Sequence, residues 1–182
     1  MKECLFNTFR RHFGDRALTI GVLASRFVAM WQQTLKSPEQ TYRLGESIGA
    51  HAMPGLVVAL VGDLGAGKTC LAQGIARGLD IHAPVTSPTF VLVSAYPEAR
   101  IPFFHADFYR LGDSSELQEL GLDESLGSGS VCVVEWADMY PEYLPADHLR
   151  LVLTDQGQDC RGLVATAHGA IAQGLLEAIQ SD

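Results

Sequence analysis

The sequence predicts an α/β fold, a single domain with a mixed parallel and antiparallel sheet flanked by helices. Three observations predict it. Leu56 to Val61 is an unbroken apolar run bounded by Gly55 and Gly62, the pattern of a strand buried on both faces of a parallel-type sheet. A glycine-rich turn follows it at once and opens a helical segment, Lys68 to Arg77. Two more β-rich runs, Phe90 to Val93 and Ile101 to Phe104, stand either side of Tyr96-Pro97-Glu98-Ala99-Arg100, which suits a hairpin and adds an antiparallel pair.

Taken in order, residues 1–36 read as an N-terminal extension and 37–182 as the domain. The extension carries Arg10, Arg11, Arg16 and Arg26 among apolar residues, with few acids. It suits an amphipathic arm, a targeting segment or a plain extension. Thr19 to Ala24 is too short for the apolar core of a signal peptide, and Arg26 follows closely. No function is assigned to it, and Met30 offers an alternative start.

Ser37-Pro38-Glu39-Gln40 supplies an N-cap, a proline at the first helical position and an acid in the first turn, and Leu44 and Ile48 continue the helical face. In the helix after the glycine-rich turn, Leu71 and Ile75 share a face and Gly78 stands where a C-cap belongs. Asp113 with Glu116 resembles a capping box for a short helix to Leu120. Val131 to Val134 reads as a buried strand, Leu149 to Leu153 and Leu163 to Ala167 as later strands, and Ile171 to Ile179 as a closing amphipathic helix.

Composition bounds the rest. A length of 182 residues over ~150 per domain gives about one domain. At 47% hydrophobic and 19% charged the chain has enough apolar surface for a core. No apolar run approaches the ~20 residues that span a bilayer, so no membrane association is expected. A net charge of −8 argues against autonomous nucleic-acid binding, which needs phosphate neutralisation. Cys4, Cys70, Cys132 and Cys160 are too widely spaced for a zinc pattern and suit a reducing cytoplasm, with Cys70 and Cys132 expected in the core.

Gly62-Asp63-Leu64-Gly65-Ala66-Gly67-Lys68-Thr69 matches G-x-x-x-x-G-K-[ST] at every fixed position. Glycines let backbone N–H groups turn toward phosphates, and the helix N-terminus adds its dipole. Lys68 then reaches the β- and γ-phosphates, and the Thr69 hydroxyl suits Mg²⁺. Asp63, inside the loop, is either a solvated turn residue or a group that orients water or metal. Guanine-reading N-K-x-D is impossible here, because no lysine follows Lys68. A kinase lid rich in arginine is disfavoured, because the five later arginines, Arg77, Arg100, Arg110, Arg150 and Arg161, are scattered. Two apolar runs end in acids, at Asp107 and at Glu135, as a magnesium-holding strand would.

These motifs together resemble the TsaE (YjeE) family, small ATPases of bacterial tRNA threonylcarbamoyladenosine biosynthesis. The matching pieces are the 62–69 loop, Ser87-Pro88-Thr89-Phe90, His105-Ala106-Asp107-Phe108-Tyr109-Arg110 and Glu135-Trp136, over about residues 37 to 180. The loop alone is common to many NTPases, and its combination with the other three is specific. The resemblance implies a mixed-sheet P-loop fold that binds ATP and Mg²⁺ and hydrolyses ATP slowly. It implies work with the TsaB and TsaD proteins, which install the threonylcarbamoyl group on adenosine 37 of tRNA, with tRNA met only through the complex. Carried over by position, Asp63 to Thr69 cradle the phosphates, Thr69 and Glu135 hold Mg²⁺, and Asp107 serves hydrolysis with Lys68 and Glu135. Ser87 to Phe90 form a switch-like loop, Arg161 contacts nucleotide, and Thr41 lies near the base. Cys70 departs from the second threonine common after Thr69, a position whose side chain is expected to face away from the metal.

Four residues keep two readings. Trp136 is a core aromatic or a cover for nucleotide or partner. His105 is a hydrogen-bonded structural histidine or a general base. Tyr109 and Arg110 are switch or interface residues, or in the case of Arg110 a surface charge. Two other functional classes stay open: a phosphotransferase acting on a small molecule, and a non-catalytic nucleotide-gated binding module.

Overall fold

A computed structural model describes residues 17–23, 26–112, 116 and 129–181. Its described strands are β1 (Ala17–Leu23), β2 (Arg26–Leu35), β3 (Val57–Val61), β4 (Val93–Tyr96), β5 (Phe103–Asp107), β6 (Val131–Glu135), β7 (His148–Gly157) and β8 (Cys160–His168). Its described α-helices are α1 (Pro38–Ala50), α2 (Lys68–Gly78) and α3 (Gly169–Ser181). The strands form one sheet in the order β1-β2-β8-β7-β3-β6-β5-β4. β3 runs parallel to both β6 and β7, and β5 parallel to β6. The pairs β4–β5, β7–β8, β2–β8 and β1–β2 are antiparallel. The sheet is therefore mixed, as the apolar runs and the hairpin spacing predict.

All five residues of β3 are buried because both faces are covered. Val58 and Leu60 join Leu71, Ile75, Leu149 and Leu176 in the larger core. Val57 and Ala59 face the other way, toward Phe108, Cys132 and Val134. Period-2 alternation thus serves two cores at once, which is why the sequence shows no polar alternation there.

Ser37 caps α1 by accepting from the Gln40 amide at 3.2 Å, with Pro38 at the first helical position. Gly78 does not act as a C-cap. It lies within α2, and Asp80 takes the left-handed conformation instead, at φ 66°. Gly78 is small for another reason. A Cβ there would strike the Glu46 carbonyl oxygen of α1, and Cβ atoms at Gly45, Gly49 and Gly74 would strike Leu71, Ile75 and Tyr42 backbone oxygens. The two helices meet backbone to backbone along this glycine seam.

Three local expectations need correction. Phe90 and Val91 are exposed and precede the strand, which begins at Val93. The partner strand starts at Phe103 and runs to Asp107, two residues later than Ile101. Cys132 is buried, but Cys70 is only half-buried, with its Sγ 3.4 Å from the Pro38 carbonyl oxygen. The expected helix from Asp113 to Leu120 lies outside the described residues, apart from Glu116. Before Ser37, β2 docks on β8 and buries Trp31 and Leu35 in the larger core.

At the far end of the sheet from the glycine-rich loop, His148 and His168 are cross-strand partners with stacked rings, 4.4 Å between centroids. Asp147 beside them accepts from the Ile171 and Ala172 amides and so caps α3.

Candidate functional site

β3, β5 and β6 run in one direction, so their C-terminal ends lie together, where ligands of open α/β sheets bind. The 62–69 loop leaves the end of β3. Asp107 closes β5 and Glu135 closes β6, directly paired in register. The parallel ladder therefore delivers both acids, 28 residues apart by number, to the mouth of the loop.

The loop needs its glycines. Gly67 caps α2 at φ 101°, and Gly62 has φ 147° with the Leu153 carbonyl where a Cβ would be. No side chain caps α2, so its first amides face the loop. The Lys68 ammonium curls back over the loop and donates to the carbonyl oxygens of Gly62 at 2.5 Å and Asp63 at 2.9 Å. It also sits 3.8 Å from the centre of the Trp136 ring. Trp136 adopts φ 57°, a left-handed turn that swings the indole over the lysine, and Tyr109 packs against the indole at 4.7 Å between ring centroids. Burial pulls the Lys68 ammonium below the usual lysine range, while Glu135, Asp107, Asp138 and Asp63 oppose that shift.

Thr69 Oγ1 donates to Glu135 Oε2 at 3.1 Å. The other oxygen, Oε1, is 2.9 Å from His105 Nε2, and His105 and Glu135 are both buried. Asp107 is buried as well. Its Oδ2 accepts from the Ser87 hydroxyl at 2.6 Å and the Thr89 hydroxyl at 2.9 Å, and its Oδ1 accepts from the Tyr109 amide at 2.9 Å. The 87–89 segment is thereby tied to the end of β5.

Arg161, at the start of β8, donates to the carbonyl oxygens of Ala66 at 3.1 Å and Gly65 at 3.3 Å, and is held by Asp155 at 3.0 Å. Thr41 is buried on α1, and its Cγ2 and the Arg161 Nε both lie within 4 Å of where a Gly67 Cβ would be. Asp63 and Leu64 project into solvent at the loop's tip. The residues singled out from sequence thus converge on one mouth: Thr41, Asp63 to Thr69, Asp107, Glu135 and Arg161.

The donor set suits a small hard cation. The 3.1 Å between Thr69 Oγ1 and Glu135 Oε2 is near the ~2.9 Å between adjacent oxygens around octahedral Mg²⁺. The loop amides and Lys68 suit phosphate oxygens. Asp155, the anchor of Arg161, is not among the residues singled out from sequence, while Trp136 and His105 are, without Lys68 and Glu135 as their partners. The i, i+2 spacing of His105 and Asp107 puts both on one strand face, and Asp155 stands opposite Arg161 across the β7–β8 pair.

Comparisons with known proteins follow this geometry. A family model described as threonylcarbamoyl adenosine biosynthesis protein TsaE matches residues 35–163. The tRNA threonylcarbamoyladenosine biosynthesis protein TsaE of Bacillus subtilis is 44% identical over 133 residues, covering 73% of this chain and 83% of that protein. The protein of the same name from Haemophilus influenzae is 34% identical over 131 residues, covering 72% and 82%. The crystal structure of Bacillus subtilis YdiB is similar with a TM-score of 0.75 and 36% identity, covering 86% of this chain and 98% of that one.

Proposed function

The chain belongs to the TsaE family, and from that premise we propose that it is a slow Mg²⁺-dependent ATPase serving tRNA threonylcarbamoyladenosine biosynthesis. The observation that carries the ATPase reading is the Thr69–Glu135 contact at the mouth of a loop whose lysine is already turned inward. In this reading Lys68 and the amides of 63–69 bind the phosphates of ATP. Thr69 and Glu135 hold Mg²⁺, which when bound would neutralise charge on the β- and γ-phosphates. Asp107 orients the attacking water, and a carboxylate that already restrains Ser87 and Thr89 couples that task to the position of the 87–90 segment. Arg161 and Thr41 line the side of the nucleotide away from the metal. We place the ATPase domain at residues 37–182, with β2 added to its sheet and Trp31 and Leu35 in its core.

ATP turnover then acts on a partner complex, the TsaB and TsaD proteins, and tRNA is met only through them. Support comes from the surface around the mouth. Leu64 is 82% exposed and Phe90 83% exposed, with Val91 and Tyr109 also open to solvent. Large apolar side chains presented together at a nucleotide site suit a protein partner. The cytoplasm is the proposed location. The free thiols of Cys70, Cys132 and Cys160 agree with it, and no described helix is long and apolar enough to cross a membrane.

The deciding experiment is ATP turnover with Mg²⁺ for the wild type and Lys68→Ala, with and without the TsaB and TsaD proteins. Slow hydrolysis that needs Lys68 and changes with the partners is expected. Tight binding without turnover in every condition would demote the chain to a nucleotide-gated binding module.

A further inference from the structure

We propose that His105 is a positioning residue that orients Glu135 toward the metal side of the site. The inference rests on the ATPase reading above and concerns a residue that the reading leaves without a task.

His105 is completely buried on β5. Its Nδ1 has no hydrogen-bond partner within the buried interior. An orphaned buried nitrogen costs stability, and an apolar side chain of similar volume would avoid that cost. The bond that sets His105 apart is from Nε2 to Glu135 Oε1, at 2.9 Å. A carboxylate is acceptor-only, so Nε2 carries the proton and donates. With Oε1 held, the carboxyl group cannot spin about its last torsion, and Oε2 stays aimed at Thr69 Oγ1, 3.1 Å away.

The register explains why this strand position does it. His105 pairs with Val133 across the parallel β5–β6 ladder, and Asp107 pairs with Glu135. His105 therefore stands one pleat behind Glu135 on the same face and approaches its carboxylate from beneath. Asp107, directly opposite Glu135, is engaged by Ser87, Thr89 and the Tyr109 amide. Carboxylates that hold a metal are themselves hydrogen-bonded, and loss of such an outer partner typically costs about 10–100-fold in metal affinity or activity.

The test is Mg²⁺ titration of ATP binding by calorimetry on the full chain, with parallel ATP binding in EDTA. His105→Leu fills the space without a donor. His105→Gln places an N–H close to the original Nε2. We expect His105→Leu to raise the half-saturating Mg²⁺ concentration about tenfold while metal-free ATP affinity stays within about threefold, and His105→Gln to restore the titration to within about threefold of wild type. A folded His105→Leu with a wild-type Mg²⁺ titration overturns the proposal, as does an equal loss of affinity with and without Mg²⁺, the mark of a merely structural histidine. If His105→Leu does not fold by circular dichroism, His105→Gln is compared with His105→Asn, whose amide is too short to reach Glu135. Only the asparagine variant is expected to shift, and equal titrations overturn the role. Wild-type binding indifferent to Mg²⁺ overturns the ATPase reading and the His105 role together. Mg²⁺-dependent wild type beside an unmoved His105→Leu overturns the His105 role alone.

Discussion

Thr69 and Glu135 are 66 positions apart in the chain, yet the threonine hydroxyl donates to the glutamate carboxylate across 3.1 Å. One residue stands in the first turn of α2 and the other closes β6, so the contact exists only because β3 and β6 are parallel neighbours. Thr69→Val and Glu135→Gln each remove one side of it at nearly constant volume. Both should raise the Mg²⁺ needed for ATP binding by at least about tenfold, since losing a ligand costs no less than losing its outer support. Unchanged Mg²⁺ titrations would remove the pair from the metal site.

Lys68 donates to two backbone carbonyls and sits under Trp136. Phosphate must draw the ammonium away from these partners. Lys68→Ala should weaken ATP binding about 100-fold, the worth of two charge-assisted hydrogen bonds at ~1.5 kcal/mol each. Wild-type affinity in that variant would refute the loop assignment. Nucleotide should also change the intrinsic fluorescence of the wild type, and Trp136→Phe should abolish the change while Trp31 still reports the fold.

Asp107 ties down Ser87 and Thr89 through one oxygen. Asp107→Asn keeps the shape but removes the charge and half the acceptor capacity. Hydrogen exchange of the amides of 87–92 should accelerate, and turnover should fall about 100-fold or more with ATP binding nearly unchanged. Equal exchange rates in the two proteins would show that the carboxylate does not restrain the segment.

The glycine seam between α1 and α2 has no room for a methyl group. Gly49→Ala or Gly74→Ala should destabilise the fold by about 1–3 kcal/mol, the usual cost of overpacking. For a chain of this length that lowers Tm by roughly 2–4 °C per kcal/mol. Gly174→Ala, on an open face of α3, is the control and should raise Tm by a few degrees, since alanine is favoured over glycine by ~1 kcal/mol in a helix interior.

Burial, helped by the nearby His148 and Arg150, pushes the His168 imidazole below its ordinary value of 6.5. The folded chain then holds this proton less tightly than the unfolded one, so stability is full above 6.5 and falls as pH drops through 6.5 toward the folded value. Denaturant midpoints should be lower at about pH 5.5 than at about pH 7.5, and His168→Asn should flatten that difference. An unaltered slope in the variant would assign the pH dependence to other groups.

What could be foreseen from sequence follows from range. Ser37 and Pro38 announce α1 through contacts within four residues, and the loop's glycines announce themselves by a fixed motif. Asp107 and Glu135 are visible as acids ending apolar runs, but their pairing is a property of the ladder, not of either segment. Phe90 and Val91 are misplaced because β-branched and aromatic residues suit both strands and exposed contact surfaces. Gly78 is misassigned because a glycine needed for close helix packing looks the same as one needed for a left-handed cap. The lysine–tryptophan stacking depends on the left-handed turn at Trp136, which leaves no periodic trace, and the arginine anchor is the cross-strand pairing of Asp155 with Arg161, set by the register of β7 and β8.

The glycine seam also has a metric consequence. Thr41 belongs to α1, while Gly67 ends the glycine-rich loop as the N-cap of α2. At Gly45, Gly49, Gly74 and Gly78 the two helices touch through main-chain atoms, which leaves little play in their spacing. The gap between Thr41 and Gly67 is therefore a gauge cut by the backbone itself. A Cβ at Gly67 would stand 3.8 Å from the Thr41 Cγ2 and 3.9 Å from the Arg161 Nε, so the spacing of the seam sets how much room the turn of the loop has beside α1.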